Sequence, residues 1–384
     1  MGTGTLALPD PGAVASRVAA RKRPGASQPP VSQLELFLTE DCCLRCDYCF
    51  VGHKRPRYMA SATARAAVEF LLSESGRTEQ LSITLFGGEP MLCYEVVADV
   101  VAYARRRGGE AGKAIAFTMT TNGLLFDDRW GRLCRDEGVT YLLSVDGTRE
   151  AHDRHRKDAA GRGSFDRVAA NIPMMKQYQP WMGARMTVHP DVVTMLADGV
   201  EQLQERGINQ FIISAATGAT WHPEARTKWL EQMLTVAEHY TLARESGVPV
   251  RVSRFERSEL SPGRYRGVFG CRAGRNSMSV DVDGGLHGCS KMIPLNQFDP
   301  PYRLGDVWSG ITDHAARAEL TDITSLRRPS CAVCPNADEC AGGCPAVNWE
   351  AQGSIFAPSP ETCALTADFI SVRDRFAAIL NGCP

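Results

Sequence analysis

A chain of 384 residues, 43% hydrophobic, holds enough apolar side chains for a large core and for two or three domains, which excludes a wholly disordered protein. A formal net charge of −1 with no long basic block argues against nucleic acid or an anionic membrane surface as the main partner. Fourteen cysteines, no secretory signal and no membrane-spanning apolar run favour a reducing compartment, taken as the cytoplasm, with metal ligation rather than a disulfide framework.

Residues 1–31 read as a flexible tail, because Pro9, Pro11, Pro24, Pro29 and Pro30 interrupt any helix and large apolar side chains are few. From Leu34 a strand-then-helix pattern begins. The first strand, about 33–39, delivers the run Cys42-Cys43-Leu44-Arg45-Cys46-Asp47-Tyr48-Cys49. Cys42, Cys46 and Cys49 have the spacing of a loop around one iron–sulfur cube, and three protein ligands leave a fourth iron open for chemistry. Cys43 falls outside the spacing and reads as a bystander. Zinc and disulfides are the competing readings of such closely spaced cysteines.

A helix of about 61–74 follows, with Ser61 as N-cap and Val68, Leu71 and Leu72 on one face. The second strand, about 81–86, ends in Phe86-Gly87-Gly88-Glu89-Pro90, and Val97, Val100, Val101 and Ala104 then recur at helical spacing. The third, about 114–120, runs into Thr121-Asn122-Gly123, and Asp127, Asp128 and Leu133 mark another helix. The fourth, about 141–145, ends at Asp146-Gly147, with a helix near 164–177 after an Arg/His-rich loop. A fifth strand, about 183–188, and a sixth, about 210–215, each precede a helical pattern. Six such units predict a parallel α/β sheet with helices outside it and a ligand at the carboxyl ends of the strands. Those ends carry the cysteine loop, the Gly-Gly-Glu-Pro turn, Asn122 and Ser144. His152 and His155, in His-Asp-Arg-His, have a spacing at which a metal site is conceivable, but histidines in so charged a run are read as solvated.

The cysteine spacing after an apolar strand resembles the signature of the radical SAM enzymes, and the resemblance covers roughly residues 32–246. It implies that the open iron chelates S-adenosylmethionine, whose carbon–sulfur bond is broken by an electron from the cluster to give a 5′-deoxyadenosyl radical. By the same likeness Gly87 and Gly88 let the backbone approach the methionine moiety, and Glu89 accepts from its amino group or the ribose. Arg185 grips its carboxylate, Asn122 and Ser144 face the ribose, and the Tyr48 backbone lies against adenine. A structural arginine and a packed tyrosine ring are the plainer alternatives.

Beyond residue 250 helical periodicity fades. Asp281-Val282-Asp283-Gly284-Gly285 reads as a hairpin turn between Cys271 and Cys289, and Cys331, Cys334, Cys340, Cys344 and Cys363 follow. Zinc ribbons compete for such an array. The intervals resemble the SPASM domain, a C-terminal extension of radical SAM enzymes. The resemblance implies one auxiliary cube on Cys331, Cys334, Cys340 and Cys363 and a second on Cys271, Cys289 and Cys344. The second has only three thiolates, so one of its irons is open to a substrate thiolate, or is filled by water, a non-cysteine ligand or Cys383.

The expected fold is therefore α/β: a partial (β/α)6 TIM-like barrel over residues 32–246 and a Cys-rich iron–sulfur (SPASM) domain over residues 247–384. The expected cofactors are three [4Fe-4S] clusters and S-adenosylmethionine. Anaerobic sulfatase-maturing enzymes place an acidic base directly after the cysteine matching Cys289, where this chain has Ser290-Lys291. That departure favours crosslinking of a ribosomally made precursor peptide, as a thioether or a carbon–carbon bond, over oxidation of a sulfatase-type side chain or a small molecule. An iron–sulfur electron carrier is the non-enzymatic alternative, and it needs no nucleoside pocket. Expected partners are the precursor peptide and a reductant such as flavodoxin or ferredoxin. No leader-binding domain is visible at the N-terminus, so recognition falls to a separate protein or to the SPASM surface.

Overall fold

The computed structural model describes residues 28–256, 271–295, 302–321, 331, 333–340 and 342–380. Seven parallel strands come first: β1 (Gln33–Phe37), β2 (Gln80–Phe86), β3 (Ala114–Thr121), β4 (Val139–Ser144), β5 (Gly183–Val188), β6 (Gln210–Ala215) and β7 (Arg251–Val252). Between them lie helices α1 (Ser61–Glu74), α2 (Tyr94–Glu110), α3 (Asp128–Asp136), α4 (Arg149–His155), α5 (Phe165–Tyr178), α6 (Leu196–Glu205) and α7 (Pro223–Glu245).

The sheet does not stop at residue 247. β8 (Ser277–Val280) adds parallel to β1, and β9 (Gly285–His287), β10 (Arg303–Asp306) and β11 (Gly310–Ile311) continue antiparallel. All eleven strands form one open sheet with β11 and β7 at its edges. The hairpin turn expected at 281–285 connects β8 to β9. The carboxyl-terminal segment adds α8 (His314–Thr321), α9 (Pro345–Gln352) and α10 (Pro360–Leu380), the last packed on α7, where Arg226 pairs with Asp368 at 2.7 Å.

Strand side chains alternate between two environments, as a period of two requires. One set, including Leu36, Leu85, Met119, Leu143, Ala184 and Met186, is buried in the main core. The other set is more polar: Thr120, Ser144, Arg185, Thr187 and Ser214 line one cavity. The parallel register sets Ser144 beside Arg185 and Thr187 beside Ser214.

Several local features depart from the sequence reading. Ser61 is the first helical residue of α1, and Ala60, extended at φ −74° and ψ 147°, occupies the N-cap with no side-chain hydrogen bond. Asp127 does cap α3, accepting from the Trp130 N–H at 2.9 Å. The stretch taken as an Arg/His-rich loop contains α4, capped by Thr148. Of the expected tail, Val31 is fully buried and its N–H donates to Glu74 O at 3.0 Å.

That entry is pinned by Arg317, which is fully buried. Its guanidinium donates to Gly274 O (3.0 Å), Arg275 O (3.0 Å) and Pro29 O (2.6 Å). One cation thus ties the start of the sheet to the segment entering β8. Arg317→Leu strips one buried and two partly buried carbonyls of their donor and is expected to cost about 3 kcal/mol in denaturant unfolding, whereas Arg303→Leu, on a side chain left exposed at β10, costs under about 0.5 kcal/mol.

Candidate active site

The three cysteines of the amino-terminal loop converge on one cavity of about 800 Å³ at the carboxyl ends of the strands. Cys42, Cys46 and Cys49 line it together with Tyr48, Gly87, Gly88, Glu89, Asn122, Ser144 and Arg185. Every amino-terminal residue singled out from sequence for cluster or nucleotide therefore borders the same space. None of the three cysteines is in a disulfide.

The loop is clamped from two sides. On one, the Gly88 N–H donates to Thr39 O (2.7 Å) and the Glu89 N–H to Asp41 O (2.9 Å). A Cβ on Gly88 would lie 2.0 Å from Asp41 O, and Gly87, at φ +136°, passes so close that its Cβ would lie 2.6 Å from Thr39 O. The glycine pair is thus required by the approach of the cysteine loop itself, a constraint in addition to the one expected from the nucleotide. On the other side, the Arg45 N–H donates to Lys157 O (2.6 Å) and the Asp47 N–H to His155 O (3.3 Å).

Glu89 is buried and already met by three donors: Thr121 Oγ1 (2.7 Å), the Asn122 N–H (2.8 Å) and the Met91 N–H (3.0 Å). Burial outweighs these bonds and pushes its carboxyl up to about 7. Its carboxylate joins the ends of β2 and β3. Asn122 directs its amide at cysteine sulfur, with Nδ2 3.2 Å from Cys43 Sγ and 3.7 Å from Cys42 Sγ.

A second knot lies behind the loop. Asp146, buried, accepts from Arg156 Nε (2.7 Å) and Nη2 (2.9 Å), from the Thr187 N–H (2.9 Å) and from the Tyr48 hydroxyl. Burial alone raises the Asp146 carboxyl, but the Arg156 guanidinium overrides it and holds the group below its usual value. Tyr48 is therefore anchored through its hydroxyl, with Arg156 5.4 Å from its ring centroid.

His152 and His155, read from sequence as solvated, are both buried. The Asp146 N–H donates to His152 Nδ1 (3.3 Å) while Nε2 faces Ser164 Oγ (2.9 Å), and burial lowers the imidazole pKa to about 4. His152 is thus neutral with its proton on Nε2. His155 Nδ1 lies 2.9 Å from the Asp47 carboxylate and Nε2 2.9 Å from Asp191 Oδ1, which His189 Nδ1 also approaches at 2.6 Å. The charged run is a wall that holds the cysteine loop. Sequence alone held no signal for it, because the partners of His155 lie 108 and 36 positions away.

Arg185 donates to Ser214 Oγ at 2.8 Å. Burial, with the like charges of Arg254 and Arg156, lowers its pKa, so an anion brought to this guanidinium relieves an unfavourable position.

The carboxyl-terminal segment closes the far wall with Ser290, Lys291, Glu339, Cys344, Thr362, Phe369 and Arg373. Lys291 Nζ donates to Thr217 Oγ1 (2.8 Å), and Glu339 is paired with Arg373 at 2.5 Å. Cys289 is close enough to Cys344 and Cys271 that their charges, after burial, add to the upward push on its thiol. Cys331 and Cys334 share a turn through the Cys334 N–H to Cys331 O bond (3.1 Å). Cys383 and the segment 261–266 lie outside the described residues.

The donor set fits an iron–sulfur cluster. Burial pushes the Cys46 thiol up to about 12, so that sulfur needs metal charge to be held as a thiolate, and soft thiolates suit iron–sulfur clusters. Gly88→Ala drives a methyl into Asp41 O, next to Cys42, and is expected to cost about four irons per chain on anaerobic reconstitution, by iron and sulfide assay.

A radical SAM superfamily profile matches residues 36–196. The serine-type anaerobic sulfatase-maturating enzyme of Klebsiella aerogenes is 24% identical over 320 residues, 79% of this chain and 77% of that relative. The cysteine-type anaerobic sulfatase-maturating enzyme of Clostridium perfringens is 27% identical over 158 residues, 39% of this chain and 42% of the relative. The structure of native anSMEcpe with bound AdoMet and Cp18Cys peptide superposes with a TM-score of 0.74 at 20% identity, covering 93% of this chain and 100% of that one. Streptococcus suis SuiB bound to precursor peptide SuiA superposes with a TM-score of 0.59 at 17% identity, over 88% and 76% of the two chains. Among the described residues no helix is long and apolar enough to cross a membrane. Residues 36–196 match the radical SAM superfamily, so the chain carries a radical SAM domain at the cysteine loop and the strand ends around it.

Proposed function

We propose that this radical SAM enzyme is a maturase that oxidises side chains of a ribosomally made peptide and leaves a crosslink. The observation that carries the reading is the single cavity bordered at one end by Cys42, Cys46 and Cys49 and at the other by Cys344, Lys291 and α10. In it Cys42, Cys46 and Cys49 would hold the cluster that binds S-adenosylmethionine, which when bound supplies the 5′-deoxyadenosyl radical for hydrogen abstraction. Arg185 holds the methionine carboxylate, Gly87, Gly88 and Asn122 border the nucleotide, Ser144 faces its ribose, and Tyr48 is kept in place by Asp146. Glu89 braces the strand ends.

Cys271, Cys289 and Cys344 would hold one auxiliary cluster and Cys331, Cys334, Cys340 and Cys363 the other. A neighbouring cluster can take the second electron when a carbon radical becomes a new bond. About twelve irons per chain are expected from three cubes. Stoichiometric zinc would contradict the carboxyl-terminal assignment.

Crosslinking rather than aldehyde formation is supported by the far wall. The residue pair after Cys289 is Ser290-Lys291, and the cavity-lining carboxylates among the described residues are Glu89, held by three donors, and Glu339, paired with Arg373. Among the described residues, both carboxylates that line this cavity are thus already engaged by other groups. The second reading, sulfatase-type side-chain oxidation, is favoured by the relatives of that activity, two of which align over 79% of this chain. A reductant of flavodoxin or ferredoxin type would deliver electrons, and a separate protein or the carboxyl-terminal surface would bind a leader.

Anaerobic incubation of the reconstituted enzyme with the peptide encoded beside its gene separates the two readings. The crosslink reading expects loss of two hydrogens, no tandem-mass fragments between the joined residues and no reaction with a hydrazide. A hydrazide-reactive product from a sulfatase-derived peptide, with the neighbouring peptide unchanged, would establish the second reading instead.

A further inference from the structure

Lys54 lies five residues after the last cysteine of the loop, in no motif. Its ammonium lies 2.9 Å from Cys49 Sγ and is held there by a second bond, also 2.9 Å, to Val51 O. Among the described residues no carboxylate lies within ion-pair distance of it. Two other cations near these sulfurs behave differently: Arg45 donates to the carbonyls of Cys42 and Leu44 and not to sulfur, and Arg156, whose field reaches Cys46, is neutralised by its two bonds to Asp146, which acts on Cys46 in the opposite sense. Asn122 offers Cys42 only a neutral amide at 3.7 Å. Lys54 is therefore the one uncompensated positive charge among the described residues that donates directly to a sulfur of this trio.

We propose that Lys54 sets the reduction potential of the first cluster, raising it so that a one-electron donor can fill it. The inference rests on the reading of Cys49 as a cluster ligand. One electron from an external low-potential donor takes the cluster from its 2+ to its 1+ state, and the donor is oxidised by one electron. The step is an electron transfer alone, and no proton is part of it. The added negative charge is shared with the ligand sulfurs, so a hydrogen-bonded cation stabilises the reduced state more than the oxidised one. Hydrogen bonds to ligand sulfur and nearby charge are among the protein's levers on cluster potential. Lys54 is a positioning and tuning residue in this account, with no contact to the reacting carbon required.

The test is an anaerobic redox titration of the full-length reconstituted enzyme followed by EPR. The first cluster is singled out as the signal that changes when S-adenosylmethionine is added. Lys54→Met is expected to lower the ratio of reduced to oxidised first cluster at fixed solution potential by about tenfold, ~59 mV for one electron. Lys54→Arg, which keeps the charge and a donor, is expected to stay near wild type. EPR reads only assembled clusters, so the comparison stands even if Lys54→Met loads less iron. A Lys54→Met midpoint equal to wild type, or a Lys54→Arg shift as large as that of Lys54→Met, overturns the proposal. Absence of any S-adenosylmethionine-sensitive signal in the wild type overturns the ligand reading beneath it, an outcome distinct from an unchanged midpoint.

Discussion

The structure depends on how the cysteine loop is held. Two backbone bonds fasten it to the Gly-Gly-Glu turn after β2, and two more fasten it to the segment 155–157 that leaves α4. Between these clamps three thiols face one cavity, and burial there pushes the Cys46 thiol up. A backbone so constrained fixes where metal charge must go before any cluster is present. It also sets the loop at the carboxyl ends of the strands, where parallel α/β sheets take their ligands.

The carboxyl-terminal segment is not a separate body appended to this arrangement. Its hairpin extends the same sheet from β8 beside β1, α10 packs on α7, and Arg317 ties the segment back to residue 29. Cys289 lies two residues past β9, and the next two residues, Ser290 and Lys291, line the far wall of the cavity together with Cys344.

Much of the core was legible because it rests on local pattern. The strand spans at 183–188 and 210–215 and the helix at 61–74 follow from period and punctuation, and the parallel order follows from strand–helix alternation. What stayed hidden depends on partners far along the chain. His155 reads as a solvated residue in a charged run until Asp47 and Asp191 are brought to its ring. Gly88 reads as a nucleotide contact until the Asp41 carbonyl is placed against it, and Val31 reads as tail until Glu74 O meets its N–H. The cysteine spacings point to the cluster chemistry, but the lysine beside Cys49 belongs to no sequence pattern and is brought to that sulfur only by the fold of the loop.

The claim on which the account turns is that Cys42, Cys46 and Cys49 leave a metal position open for S-adenosylmethionine and drive its reductive cleavage. The direct measurement is chromatographic quantitation of 5′-deoxyadenosine after anaerobic reduction of the fully loaded enzyme with S-adenosylmethionine. The account predicts release by the wild type and none by Cys46→Ala. No release from enzyme with a complete first cluster, or equal release from the Cys46→Ala variant, would contradict it.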